Sequence, residues 1–223
     1  DEAGLMIKYL GSKRTLVPRI VALAESIRDA CGAQSVCDVF TGTTRVAQGL
    51  KRAGFTVTAN DTASYSEVLA RAYIECDAGA VAGEVIAAKL AHLGALEGSH
   101  GYFTQTFCVD ARYFQAQNGR RVDAIRPEIE RISESRAERA ILLTALLEAA
   151  DRVDSTTGVQ MAYLKSWAPR AHNDLALRIP DVLPRARHGK GHATRLDALD
   201  AAATWGGQAD IAYIDPPYNQ HSY

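Results

Sequence analysis

Ser35-Val36-Cys37-Asp38-Val39-Phe40-Thr41-Gly42-Thr43-Thr44 is the stretch of this 223-residue chain that decides its fold. Ser35 to Phe40 reads as a strand and Thr41 to Thr44 as a tight loop. Arg45 to Ala53 then reads as a helix stopped by Gly54. Thr56 to Ala59 follows as a second strand that ends in Asn60-Asp61. The order is one β-loop-α-β unit with an acid about twenty positions beyond the loop, the arrangement of nucleotide-binding α/β sheets.

Upstream, Leu16, Ile20, Leu23 and Ile27 recur at helical spacing within Thr15 to Cys31, ahead of Gly32, and predict a first helix with that stripe as its apolar face. Residues 63–95 are alanine-rich and helical in pattern. From Tyr102 to about Arg195 the rhythm changes. Two longer amphipathic helices, roughly 123–133 and 137–153, are separated by polar loops that contain Asn118-Gly119 and prolines. The α/β pattern returns with Ala209 to Ile214, a short apolar run of the kind covered on both faces of a parallel sheet. Residues 100–195 therefore read as an insertion in a parallel-sheet domain.

That last strand runs into Asp215-Pro216-Pro217-Tyr218. Two prolines end a strand for purely local reasons, because proline lacks the ladder N–H. An acid and an aromatic at the carboxyl end of a strand, where open α/β sheets bind ligands, also suit the grip of a planar base and its amine. Asp61 has two readings as well, a carboxylate for ribose hydroxyls or a helix N-cap. The loop lacks both the P-loop pattern and the full GxGxxG fingerprint, which favours a nucleoside cofactor without phosphates.

Composition narrows the setting. With 47% hydrophobic and 23% charged residues and no long apolar run, the chain reads as globular, without a membrane span or signal peptide. Cys31, Cys37, Cys76 and Cys108 lack CxxC spacing, so no zinc site or disulfide framework is indicated and a reducing cytoplasm fits. The net charge of −1 carries no global polyanion signature. Locally, Lys165, Arg170, Arg178, Arg185, Arg187, Lys190 and Arg195 face only Asp174 and Asp181, a candidate phosphate-contacting patch. The chain has no initiator methionine and stops five residues after Tyr218, as a fragment or excised domain would.

Lys8-Tyr9-Leu10-Gly11-Ser12-Lys13, Asp38 to Thr44, Asp61 and Asp215 to Tyr218, in that order, resemble the Dam-like, alpha-class adenine-specific DNA methyltransferases. Tyr113-Phe114-Gln-Ala-Gln-Asn118-Gly119-Arg-Arg-Val-Asp123-Ala124-Ile125-Arg126 and Leu146 to Val153 look like the FokI-type modification methylases within that class. The resemblance covers nearly the whole chain. It implies a Rossmann-like S-adenosylmethionine-dependent sheet with a mostly helical inserted target-recognition region, the family's C-terminal strands being missing. The implied divisions are 1–99 for the first, cofactor-binding part, 100–195 for target recognition and 196–223 for the catalytic strand and turn.

The resemblance further implies that Tyr9, Lys13, Asp38, Phe40, Thr41, Gly42, Thr43, Asp61 and Asp215 bind S-adenosylmethionine. Asp215, Pro216, Pro217 and Tyr218 would handle a flipped adenine, Asp215 and the Pro216 carbonyl accepting its amine hydrogens and Tyr218 stacking on its face. Lys165, Arg170, Arg185, Arg187 and Lys190 are the candidate contacts to double-stranded DNA. No metal is called for, and a cognate restriction endonuclease is the implied genetic partner. Thr44 stands where the family often has a second glycine. Asp197 reads either as a neighbour of the adenine rings or as a helix start. An RNA or guanine-amine methyltransferase, and a non-catalytic DNA-binding fragment, are the rival readings. The 177 residues between Asp38 and Asp215, room for a recognition domain, favour a DNA enzyme over the first rival.

Overall fold

A computed structural model describes residues 13–156, 164 and 166–217. Tyr9, Lys165 and Tyr218, with the segment Lys8 to Ser12, lie outside the described residues. In chain order the elements are α1 (Val17–Cys31), β1 (Ser35–Asp38), α2 (Arg45–Arg52), β2 (Thr56–Asn60), α3 (Ser64–Ala70), α4 (Gly83–Ala95), the single turn α5 (Tyr102–Thr104), α6 (Ala116–Ile132), α7 (Arg136–Asp151), β3 (His192–Thr194), α8 (Ala198–Trp205) and β4 (Ile211–Tyr213). Wide π-type turns follow α3 at Arg71–Glu75 and α5 at Gln105–Asp110.

The described residues divide into two compact units, one within 13–80 and 181–217 and one within 81–180. The first is an α/β unit built on an all-parallel sheet of order β3-β2-β1-β4. β1 is its centre: Val36 pairs with Val57 and Ile211, and Asp38 with Ala59 and Tyr213. Val36, Val57, Phe55, Leu50 and Ile74 are almost fully buried here. Each such side chain stabilises the fold by about 1.5–3 kcal/mol.

α1 starts with Pro18 in its first turn and stops at Gly32, whose φ of 76° lets its N–H reach the Arg28 carbonyl at 2.7 Å. Its contact face differs from the expected stripe, for Leu16 and Leu23 are exposed and Ala24 is the buried residue. The reason lies in α2. A Cβ at Gly49 would stand 2.7 Å from Val17 and 3.1 Å from Val21, so α1 docks closely through its valines and turns the leucines outward. Lys51 of α2 is 2% exposed and donates to the carbonyls of Tyr73, Ile74 and Cys76 at 3.2, 3.0 and 2.6 Å, closing the end of the π turn. Burial depresses its pKa, and the Asp77 carboxylate 3.2 Å away opposes that.

Two sequence expectations change. β3, three residues without an apolar run, gave no strand signal, yet His192 to Thr194 pair with Thr58 to Asn60. Residues 181–195 thus belong to the sheet unit, although the sequence pattern places them in the insertion. β4 was expected to be covered on both faces, but Ile211 and Tyr213 are half-buried and Ala212 and Ile214 exposed. Among the described residues it has a strand on one side only.

The second described unit is helical. α7 is its central helix, with Ile141, Leu142, Leu143, Ala145, Leu146 and Ala149 buried around its circumference. Ser135 caps it by accepting the Glu138 N–H at 3.1 Å. Lys89 of α4 reaches Glu138 at 2.6 Å and the Ile132 carbonyl at 2.9 Å. α6 begins at Ala116 rather than near 123, and Pro127 lies within it. Asn118-Gly119 is no loop. Asn118 donates to the Asn173 carbonyl at 2.9 Å and accepts the Leu175 N–H at 2.9 Å, while Gly119 lets Cys108 pack where a Cβ would stand. Asp123 accepts from Gly101, Phe103 and Thr104 N–H groups at 3.0, 2.9 and 2.8 Å, capping α5.

Candidate active site at the carboxyl edge of the sheet

The register of the central strands assembles the site. Asp38 pairs with Ala59 on one side and Tyr213 on the other, and Asp61 and Asp215 each lie two residues beyond those partners. Three carboxylates therefore stand at the carboxyl ends of adjacent parallel strands. Asp38 is the buried member, 1% exposed. Among the described residues neither of its oxygens nor the Thr41 hydroxyl meets a partner at hydrogen-bonding geometry. Burial first, then the charges of Asp61 and Asp215, push its pKa up to about 7, and the nearby Thr41 hydroxyl offsets this in part.

The glycine loop bridges Asp38 to Asp61. Thr41 N–H donates to the Asn60 carbonyl at 2.8 Å and Gly42 N–H to Asp61 Oδ2 at 2.8 Å. Asp61 Oδ1 takes the Ala63 N–H at 3.0 Å, while the N-cap position of α3 itself falls to Ala63. Gly42 has a φ of 51°, and among the described residues a Cβ there would meet nothing within 4 Å. Open space over a backbone turn whose N–H is anchored on a carboxylate suits a ligand that approaches the main chain closely.

Thr44 resolves its departure from glycine by taking the glycine conformation, with φ 63° and ψ 11°. A β-branched residue there is strained by roughly 1–2 kcal/mol. Its N–H bonds the Thr41 carbonyl at 2.7 Å, and its hydroxyl donates to the Thr43 carbonyl at 2.7 Å and accepts from Gln48 at 2.9 Å. The side chain is fully buried. The loop thus keeps a glycine path with a threonine in it. Phe40 and Thr43 are half-buried beside it.

Asp215 is held from two directions. Lys13 Nζ lies 2.7 Å from its Oδ2, and the Tyr213 hydroxyl donates to the same oxygen at 3.4 Å. Burial, and next the charges of Asp215 and Asp38, push the Tyr213 phenol up to about 12, so it remains a donor at neutral pH. Pro216 and Pro217 are exposed beyond it. Asp197 caps α8 by accepting the Leu199 N–H at 2.8 Å, which is the helix-start reading.

The candidate phosphate contacts fall into two kinds. Arg187 and Lys190 are exposed and carry no ion pair among the described residues, and exposed Arg185 pairs with Asp77 at 2.7 Å. Arg170 is committed internally, with Nε 2.6 Å from Asp154 and Nη2 3.1 Å from the Thr156 carbonyl. Sequence reasoning missed Tyr213 and Asn60. Tyr213 was legible by strand alternation, two residues before Asp215 on the same face. Asn60 gave no signal beyond preceding Asp61. Among the described residues no cluster of His, Cys, Asp or Glu is arranged to hold a metal, and no helix is long and apolar enough to cross a membrane.

Residues 9–223 match the model of the D12 class N6 adenine-specific DNA methyltransferases, and the chain belongs to that family. It is 31% identical over 231 residues to modification methylase StsI of Streptococcus sanguinis, covering 97% of this chain and 34% of that protein. It is 33% identical over 227 residues to type II methyltransferase M.NlaIII of Neisseria lactamica, covering 97% and 66%. With type II methyltransferase M.FokI of Planomicrobium okeanokoites it shares 30% over 233 residues, covering 97% and 35%. The chain thus spans between a third and two thirds of these relatives' lengths. No solved structure matches it.

Proposed function

We propose that the chain is the catalytic part of a site-specific DNA methyltransferase that modifies the exocyclic amine of adenine, using S-adenosylmethionine. The observation that carries this reading is the convergence of Asp38, Asp61 and Asp215 on one sheet edge, with the buried Asp38 oxygens unpartnered among the described residues. When bound, S-adenosylmethionine supplies a methyl group on a positively charged sulfur. A set of acids suits a ligand bearing sulfonium and ammonium charges, and the open turn at Gly42 suits its close approach. In this reading Asp61 accepts ribose hydroxyls, Asp38 and the Phe40 to Thr43 loop face the methionine portion, and Tyr9, Lys13 and Asp215 contribute further contacts.

Adenine's amine is a poor nucleophile because its lone pair is delocalised into the ring. Asp215, fixed through Oδ2 by Lys13, presents its other oxygen to one amine hydrogen, and the Pro216 carbonyl takes the second. Charge-assisted bonds of this kind strengthen as positive charge develops on nitrogen, so they stabilise the transition state more than the ground state. Pro217 keeps the turn rigid, and Tyr218 stacks on the flipped base. Residues 100–180 serve as the target-recognition region, and Arg185, Arg187 and Lys190, in the sheet unit, touch DNA phosphates. The biological setting is modification beside a cognate restriction endonuclease, in the cytoplasm.

Incubation with methyl-labelled S-adenosylmethionine and either duplex DNA or RNA, beside an Asp215→Ala control, tests this. Label on adenine N6 of DNA that disappears in the control is expected. Transfer to RNA alone, or DNA binding without transfer, would overturn it.

A further inference from the structure

Asn60 is the last residue of β2, 1% exposed, and its whole amide is engaged. Nδ2 donates to the carbonyls of Val39 and Leu196, both at 3.1 Å. Oδ1 accepts the Leu196 N–H at 3.0 Å and the Thr194 hydroxyl at 2.8 Å. The opposite amide orientation would set oxygen against two carbonyls and NH2 against an N–H, so the network itself fixes the assignment. The Asn60 main-chain oxygen takes the Thr41 N–H as well, at 2.8 Å.

These bonds lie where the sheet's own ladder stops. The last pairs are Asp38 with Ala59 and Asn60 with Thr194. Val39, Thr41 and Leu196 lie beyond them, and Asn60 is what they share. One residue thereby connects the glycine loop after β1, the Asp61 turn after β2 and the Leu196-Asp197 turn after β3. An aspartate of the same shape would point an anion at two carbonyls, so the neutral amide is required.

We infer that Asn60 is a positioning residue for the cofactor, setting the separation between the Thr41-Gly42 loop and the Leu196-Asp197 turn on either side of Asp61. This rests on the reading of the edge as an S-adenosylmethionine site. Loops held in place before binding spare the ligand the entropy of ordering them, so the effect falls on affinity. Asn60 touches none of the groups assigned to the amine, so the rate at saturating cofactor is largely spared.

The test measures the Kd for S-adenosylmethionine by calorimetry, well below each variant's melting temperature, with kcat, KM and amide exchange at Thr41 and Leu196. Asn60→Ala is expected to raise Kd and cofactor KM about tenfold or more, to change kcat less than about threefold, and to expose the Leu196 amide to exchange while the Thr41 amide keeps its main-chain acceptor. Thr194→Val, which removes a single donor, shifts Kd the same way by a smaller factor, about two- to fivefold, and guards against an Asn60 variant that does not fold. Folded variants with unchanged Kd and only a lower melting temperature would overturn the inference alone. A parent protein that binds no S-adenosylmethionine would overturn the reading beneath it, and the inference with it.

Discussion

Lys13 and Tyr213 converge on one oxygen of Asp215, the ammonium at 2.7 Å and the phenol at 3.4 Å. The carboxylate is thus oriented as well as charged, and the two holders differ in strength. Lys13→Met should lower the rate of methyl transfer about 10- to 100-fold, the worth of a charged hydrogen bond. Tyr213→Phe should cost less than about fivefold, because 3.4 Å is a weak contact. Asp215→Ala should cost at least about 100-fold. Initial rates with labelled methyl donor check the order, and a Tyr213 effect exceeding that of Lys13 would refute it.

Asp38 sets a pH dependence of defined sign. Its pKa rises from 3.8 in the ordinary state to about 7 in the fold. Below about pH 4 both folded and unfolded chains hold the proton. Between about pH 4 and 7 only the folded chain does, so its stability falls with rising pH, by up to about 1.4 kcal/mol per unit, and levels off above. Asp38→Asn should remove this fall, gaining stability at about pH 8 relative to the parent while gaining little near pH 4. Denaturant melts at the two pH values check it; equal gains at both would exclude Asp38 as the source. Cofactor affinity in the parent should rise with pH up to about 7, as the carboxylate ionises.

Gly119 packs where a side chain has no room. A Cβ there would overlap Cys108 Sγ and stand 3.2 Å from Thr104 Oγ1. Gly119→Ala should destabilise the helical unit by about 1–3 kcal/mol, and Cys108→Ala in the same chain should recover part of the loss. Chemical denaturation measures both, and additive effects of the two changes would argue against the contact.

The basic residues should separate by salt dependence. Arg187→Ala and Lys190→Ala should each reduce the slope of log affinity for duplex DNA against log salt by about 0.9 without lowering stability. Arg170→Ala should leave the slope unchanged and lower the melting temperature, since it strips a largely buried Asp154 of its cation. An unchanged slope in both surface variants would remove them from the interface.

The sequence made the centre of the sheet legible because a β-loop-α-β unit is written in consecutive residues: Asp38, Gly42 and Asp61 follow from strand, turn and strand in order. Asp215 was legible because its prolines mark the turn. What escaped depends on contacts between distant segments. His192 to Thr194 form a strand only because β2 offers them an edge. Asn118-Gly119 looks like a turn but starts a helix, because Asn118 spends its amide on the 171–175 segment and Gly119 admits Cys108. The leucine stripe of α1 misled because a glycine on the neighbouring helix chose which face could approach. Arg170 counted as surface charge until Asp154, sixteen residues away, proved to be its partner.

β1 lies between its earliest and its latest neighbour. It pairs with β2 across a single helix, but Asp210, which receives the Gln34 and Ser35 N–H groups at 2.8 and 2.9 Å, is 176 and 175 residues away. At ribosomal speeds of about 5–20 residues per second, the second edge of β1 stands open for roughly 10–35 seconds during synthesis. An open edge of that kind invites the wrong strand. Yield of the active protein should therefore respond to elongation rate and chaperone supply, and a polypeptide released before Ile211 would carry two of the three acids and no means of gathering the third.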